Sequence, residues 1–356
     1  MRRSAITLVI VLVTAACGGE SPTSPSAAVM TSLAPGSAST AGVGALTMRS
    51  LTGQATDALS GVGVPGVTIR IQDVGDLLAD ATGAFLLESE APDGRYRLTL
   101  SAPGVFDRQT TLVFPGQHAI FPLIPTGFNL AAFEEMIRNF GEPGVLKRWT
   151  EPPALIVETS LIDRDASLDA NGVPFETVIA SDQQQSETAI NEVIAQLTRA
   201  LPLMTGGQFT AFSSVSTQTT AAGMPVTLET LGAITVVRYP SSDIRCRGYG
   251  SFSYTQDYVA VAGRVLLQAC TGPLAQAVAA HELGHALGYG HVAAQPSVMA
   301  PTVTVDVTEF DQQATAIAYQ RPPGNRSPDI DPEIFAINLP LRARPFGRRT
   351  TTPFVP

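Results

Sequence analysis

Histidine is scarce in this chain of 356 residues, with four in all. Cysteine is scarcer still, at three, and tryptophan occurs once. Outside Cys17 the only cysteines are Cys246 and Cys270, which leaves room for a single internal disulfide. In an exported chain a lone pair of this kind reads as a disulfide rather than as two free thiols. The apolar run near the start, Ala5 to Val13, is too short to cross a bilayer. Lys and Arg form no cluster away from the extreme termini, and the formal net charge is −9, which argues against nucleic acid as a partner. Apolar residues make up 44%, enough to build cores. Once the first 45 residues are set aside about 310 remain, which suggests two domains rather than one.

The scarce histidines are not scattered. Three of the four fall in His281-Glu282-Leu283-Gly284-His285-Ala286-Leu287-Gly288-Tyr289-Gly290-His291. On a helix, His281 and His285 at i and i+4 share one face and can share one metal ion. Glu282 adjoins the first ligand and can accept a proton from water at that ion. Gly288 can end the helix in a left-handed conformation that costs other residues strain. The chain can then turn back, so that His291 closes a third position. Three imidazoles with one open position suit a catalytic zinc, whereas structural zinc sites are closed by four protein ligands. The residues by themselves point to metal-assisted hydrolysis.

The order H-E-x-x-H-x-x-G-x-x-H is matched at every defined position, and Met299 follows in Ser297-Val298-Met299-Ala300-Pro301. This stretch resembles the metzincin zinc peptidases, the matrixins in particular. The resemblance implies one Zn²⁺ held by His281, His285 and His291, Glu282 as general base, and Met299 as the Met-turn residue forming an apolar floor under the metal. It also implies a protein or peptide substrate. Trp149, placed before the expected strand Ala154–Glu158, is a looser match to the start of matrixin-type domains. No tyrosine follows Met299, so a tyrosine ligand or oxyanion stabiliser is not expected there. No cysteine is placed as a propeptide switch, and no Asp-rich loop predicts structural calcium.

At the N-terminus, Met1-Arg2-Arg3, the apolar run and Thr14-Ala15-Ala16-Cys17 form a signal peptide, residues 1–16. Ala-Ala-Cys resembles a bacterial lipobox, although Thr14 stands where leucine is favoured. The resemblance implies lipidation at Cys17, export, and attachment to the membrane of the cell envelope. Residues 17–45 are rich in Ser, Pro, Ala, Gly and Thr and read as a flexible tether.

Residues 46–125 alternate short β-type runs with Gly, Pro and Asp turns, the pattern of a small all-β sandwich. The runs G-V-P-G-V-T-I, D-A-T-G-A-F and D-G-R-Y-R-L-T-L resemble carboxypeptidase-regulatory-like modules, which serve as spacers or binding domains. His118 stands alone there and reads as a surface or packing residue. Residues 126–325 read as the zincin-like catalytic domain. Its expected elements are a helix over Leu130–Phe140, a long helix over Ser181–Leu203 capped by Ser181, strands at Gln208–Phe212, Val226–Leu231 and Ala233–Tyr239, a zinc helix over Pro273–Leu287, and a helix opened by a capping box at Thr308–Asp311. Gly263–Leu267 is expected to form the sheet edge that pairs with an extended substrate. Residues 326–356 are expected to be an irregular tail. The fold class is therefore α+β: a twisted mixed sheet with a long helix and a zinc helix, preceded by a β-sandwich. Two other readings stay open: a catalytically silent envelope binding or adhesion lipoprotein, and a hydrolase of cell-wall peptides.

Overall fold

The computed structural model describes residues 49–116, 118–170, 173–240 and 246–333, together with the backbone of a strand at 346–351. The signal-like start, Cys17 and the tether through residue 45 lie outside the described residues. The described residues belong to one compact unit, Thr47–Pro356. Among them no helix is long and apolar enough to cross a membrane.

The first seven strands are β1 (Arg49–Asp57), β2 (Thr68–Ile71), β3 (Gly75–Leu78), β4 (Ala84–Ser89), β5 (Gly94–Ser101), β6 (Arg108–Phe114) and β7 (Ala119–Leu123). They make two sheets, ordered β4-β1-β7 and β3-β2-β5-β6. Alternation sets their inner faces. Leu51, Ala55, Phe85, Leu87 and Phe121 of the first sheet share one buried core with Ile69, Ile71, Leu98, Leu100 and Leu112 of the second. His118 is exposed between β6 and β7, its Nδ1 3.1 Å from Thr52 Oγ1.

The chain then forms α1 (Leu130–Phe133), which widens into a π-helical turn at Glu134–Arg138 rather than running on as an α-helix to Phe140. Strand β8 (Ala154–Ile162), the short α2 (Arg164–Ser167) and β9 (Ala180–Gln184) follow. The long helix α3 (Glu187–Leu203) starts later than expected. Ser181 lies in β9, and Ser186 caps the helix by accepting from the Ala189 amide at 3.2 Å. Next come β10 (Val215–Gln218), β11 (Ala233–Tyr239), β12 (Gly248–Thr255) and β13 (Ala260–Gln268), then α4 (Pro273–Leu287), α5 (Glu309–Tyr319) and β14 (Phe346–Thr351). Gln208–Phe212 and Val226–Leu231 form no strand, and the tail expected to be irregular contributes β14.

Strands β8 to β14 form one mixed sheet, ordered β10-β8-β11-β13-β12-β14, with β9 antiparallel beside β8. β10, β8, β11 and β13 are mutually parallel, while β12 runs antiparallel to both β13 and β14. Gly263–Leu267 is therefore interior, flanked by β11 and β12, and the expectation that it forms the sheet edge is corrected. One face of the sheet packs on α3 and α4 through Leu155, Val157, Ile234, Val236 and Val265, and α5 packs on α3 in the same core. Helix α4 is buried on nearly every side from Ala275 onward. A helix so placed cannot show an amphipathic stripe, which explains its Ala-rich composition.

Candidate active site

Helix α4 begins at Pro273, where a missing N–H costs nothing, and ends at Gly288, whose φ of +111° is left-handed. His281 and His285 lie one turn apart on it. The loop after Gly288 brings back His291 and is held by the Gly290 amide donating to the Met136 carbonyl at 2.7 Å. The π-helical turn thus helps to place the third histidine.

The three Nε2 atoms stand 3.0, 3.1 and 3.3 Å apart. His281 Nδ1 lies 2.7 Å from the Val298 carbonyl, and His285 Nδ1 lies 2.7 Å from the Tyr289 carbonyl. A carbonyl only accepts, so each Nδ1 carries the proton and each Nε2 keeps its lone pair. Burial favours the neutral rings. It pushes His281 down to about 4 and His285 well below the usual range, with the neighbouring imidazoles adding to the shift at His285. His291 is lowered by burial as well. Lone pairs facing one another at this distance repel unless a cation sits among them. Two nitrogens about 2.0–2.1 Å from a tetrahedral zinc stand roughly 3.3 Å apart. The donor set and its spacing therefore fit the ion that the sequence leads one to expect, and these three residues form a group able to hold a metal.

Glu282 is 5% exposed, and its Oε2 has no hydrogen-bond partner among the described residues. Burial raises its carboxyl well above the usual range. A buried carboxylate oxygen without a donor is costly for a structural residue, but it is free to take a proton.

Beneath the helix, Met299 is fully buried, and its sulfur fills the space that a Cβ on Gly284 would need. The turn around it is pinned from two sides. Val292, next to His291, donates to the Met299 carbonyl at 2.9 Å. Asp311 accepts from Ser297 Oγ and, at 2.9 Å, from the Val298 amide, while its capping-box bonds to Thr308 hold it at the start of α5. Asp311 thus fixes Val298, the residue whose carbonyl orients His281. Its capping role is readable from the sequence, but its grip on the turn is not.

Two further glycines had no sequence assignment. A Cβ on Gly248 would overlap the Glu282 side chain, and one on Gly250 would overlap the Glu282 backbone and His285 Cβ. Their absent side chains let β12 lie directly against the Glu282–His285 turn of α4. The only signal was the Gly-x-Gly spacing ahead of Phe252 and Tyr254. Cys246 and Cys270 are joined by a disulfide that closes the open end of the β12–β13 hairpin beside the start of α4. Trp149 is buried, and its Nε1 donates to the Ala286 carbonyl at 3.0 Å, bracing the far end of the helix.

A search of curated protein sequences finds no match. Among solved structures, the chain is similar to Klebsiella pneumoniae 5-hydroxyisourate hydrolase at 24% identity and a TM-score of 0.19, over 22% of this chain and 92% of that one. A DUF3823 family protein from Parabacteroides merdae matches at 19% identity and a TM-score of 0.18, over 22% and 46%. Metalloproteinase-II from Bacteroides fragilis matches at 12% identity and a TM-score of 0.28, over 74% of this chain and 84% of that chain. These structural likenesses are too slight to carry an argument. Residues 262–325 match the Matrixin family model. That stretch runs from within β13 through α4, the three histidines, the Met299 turn and α5, so the part of the chain that builds this site is matrixin-like.

Proposed function

We propose that this chain is a zinc-dependent endopeptidase that is exported and held at the cell envelope. One observation carries the reaction class: three Nε2 lone pairs converge, and Glu282, the residue after the first of these histidines, keeps a buried oxygen with no partner among the described residues. The matrixin likeness over residues 262–325 supports peptide as the substrate. A zinc ion held by His281, His285 and His291 supplies Lewis acidity, acidifying water and polarising the scissile carbonyl. Everything else falls to the chain. Val298 and Tyr289 hold two imidazoles in the ligating tautomer. Glu282 Oε2 accepts the proton of the attacking water and passes it to the leaving amine nitrogen. Gly248 leaves the space that this carboxylate occupies against β12.

The test is paired. The mature chain is purified, its zinc is measured by elemental analysis, and cleavage of denatured casein is followed beside Glu282→Ala. One zinc per chain in both proteins, with cleavage lost by a factor of roughly 10²–10⁴ in the variant, is expected for a general base. Absence of zinc from the unmodified chain would end the proposal. Retained zinc with no cleavage by either protein would favour a silent envelope-binding protein. Attachment through Cys17 rests on the N-terminal sequence alone. Cys17→Ser is expected to shift the protein from the membrane to the soluble fraction, and a soluble unmodified protein would refute the anchor.

A further inference from the structure

Of the two edges of the large sheet, only one adjoins the catalytic residues. Strand β10 lies at the far side, beyond β8, β11 and β13. Strand β12 lies on α4, with Gly248 and Gly250 against Glu282 and His285. A strand edge presents backbone N–H and C=O groups that an extended peptide can pair with. In this protein that edge is already taken by the chain's own C-terminal segment. Strand β14 pairs antiparallel with β12: Phe346 faces Thr255, Arg349 faces Ser253, Thr350 faces Phe252 and Thr351 faces Ser251. Its last residue, Thr351, is the one nearest the metal site, since its partner Ser251 adjoins Gly250, where an added Cβ would meet His285 Cβ. The segment itself is basic. Residues 342–349 hold four arginines, in a chain whose net charge is −9 even with them included.

We infer that Phe346–Thr351 is an autoinhibitory strand, which occupies in substrate-like pairing the β12 edge from Thr255 to Ser251, the residue that adjoins Gly250 on His285. The inference rests on the endopeptidase reading. No covalent change is needed, because release of the strand opens the edge and its return closes it. The site accordingly favours extended, unstructured peptide, whose backbone alone can replace β14.

The zinc-loaded chain is compared with a form lacking residues 341–356 and with the full-length double variant Arg349→Pro/Thr350→Pro, which removes two backbone donors from β14. Casein cleavage is measured for all three, and the amidated peptide Phe346–Thr351 is added to the truncated form. Both variants should gain about tenfold or more in kcat/KM, the factor by which an occupied edge lowers the competent fraction. The peptide should inhibit competitively. A merely structural role for β14 predicts the opposite sign, because a destabilised fold loses activity. Equal cleavage by all three forms overturns the inference and leaves the peptidase reading intact. Zinc-loaded forms that all fail to cleave overturn the peptidase reading itself, and the inference with it.

Discussion

Gly284 stands between the two helical histidines in a place where no side chain fits. The sulfur of Met299 occupies its Cβ position, and Met204 closes the other side. Substituting Gly284→Ala pushes Met299 downward, and Val298, whose carbonyl orients His281, is its chain neighbour. The expected cost is about 1–3 kcal/mol of folding stability, as for other overpacked cores. Zinc affinity should fall roughly 10–100-fold, the usual effect of disturbing a group behind a ligand. Urea unfolding with chelator present and a zinc competition titration measure the two separately. Unchanged affinity would mean that the shift at Met299 does not reach Val298. At this scale the residues legible in the sequence were those whose roles follow from local spacing. His281 and His285 share a helical face because of the helix repeat, and Gly288 ends the helix because of its backbone freedom. Gly248 and Gly250 were illegible because their meaning lies in Glu282 and His285, some 34 and 35 positions away.

Elements were legible in proportion to how far their sequence reflects local propensity. The zinc helix Pro273–Leu287 has the bounds that its Pro start and Gly stop predict. The long helix α3 ends at Leu203 as its apolar stripe requires, but its start is decided by sheet pairing. Residues Ala180–Gln184 are drawn into β9 alongside β8, and the second available serine takes the cap. Strand β12 escaped notice because Gly248, Gly250, Ser251 and Ser253 carry little β-propensity. Gly248 and Gly250 are there because a side chain at either place would meet α4. With β12 unseen, nothing in the sequence covers the outer side of β13, so Gly263–Leu267 reads as the sheet edge by its position before the helix, whereas β12 lies beyond it. β14 was illegible for a related reason: a tail rich in Pro and Arg has no periodicity of its own and gains its strand form from pairing with β12.

For the whole molecule, the controlling feature is a buried ionic group between the N-terminal sheets and the part of the chain that holds the three histidines. Arg321 grips Asp329 through two bonds of 2.8 and 2.7 Å. Arg108, from β6, reaches Asp331 at 2.8 Å, and Asn325 donates to both carboxylates. Burial alone would raise the Asp329 carboxyl, but Arg321, then Arg108 and Arg138, outweigh it and hold the group below the ordinary carboxylate range. A carboxyl lowered by folding contributes stability that is present above its unfolded value of about 3.9 and is lost as pH falls through the folded value. Urea stability should therefore decline on acidification below about pH 4, measured with chelator so that the metal contributes nothing. Asp329→Asn should lose about 3–5 kcal/mol at neutral pH, the cost of stranding buried partners, and show a shallower acid slope. Equal slopes in the two proteins would remove Asp329 from the account.

That group also bears on descent. A gene fragment encoding only the residues after 125 would inherit Asp329 and Asp331 without Arg108, leaving a buried acid short of its counter-charge. The Gln109 amide and carbonyl, which bond to Asp329 and Asp331, would vanish with it. Exchange of the N-terminal sheets for another module by recombination would meet the same penalty. The two halves of this protein are thus bound to be passed on together, and lineages that carry one without the other should have rewritten the loop from Arg321 to Asp331.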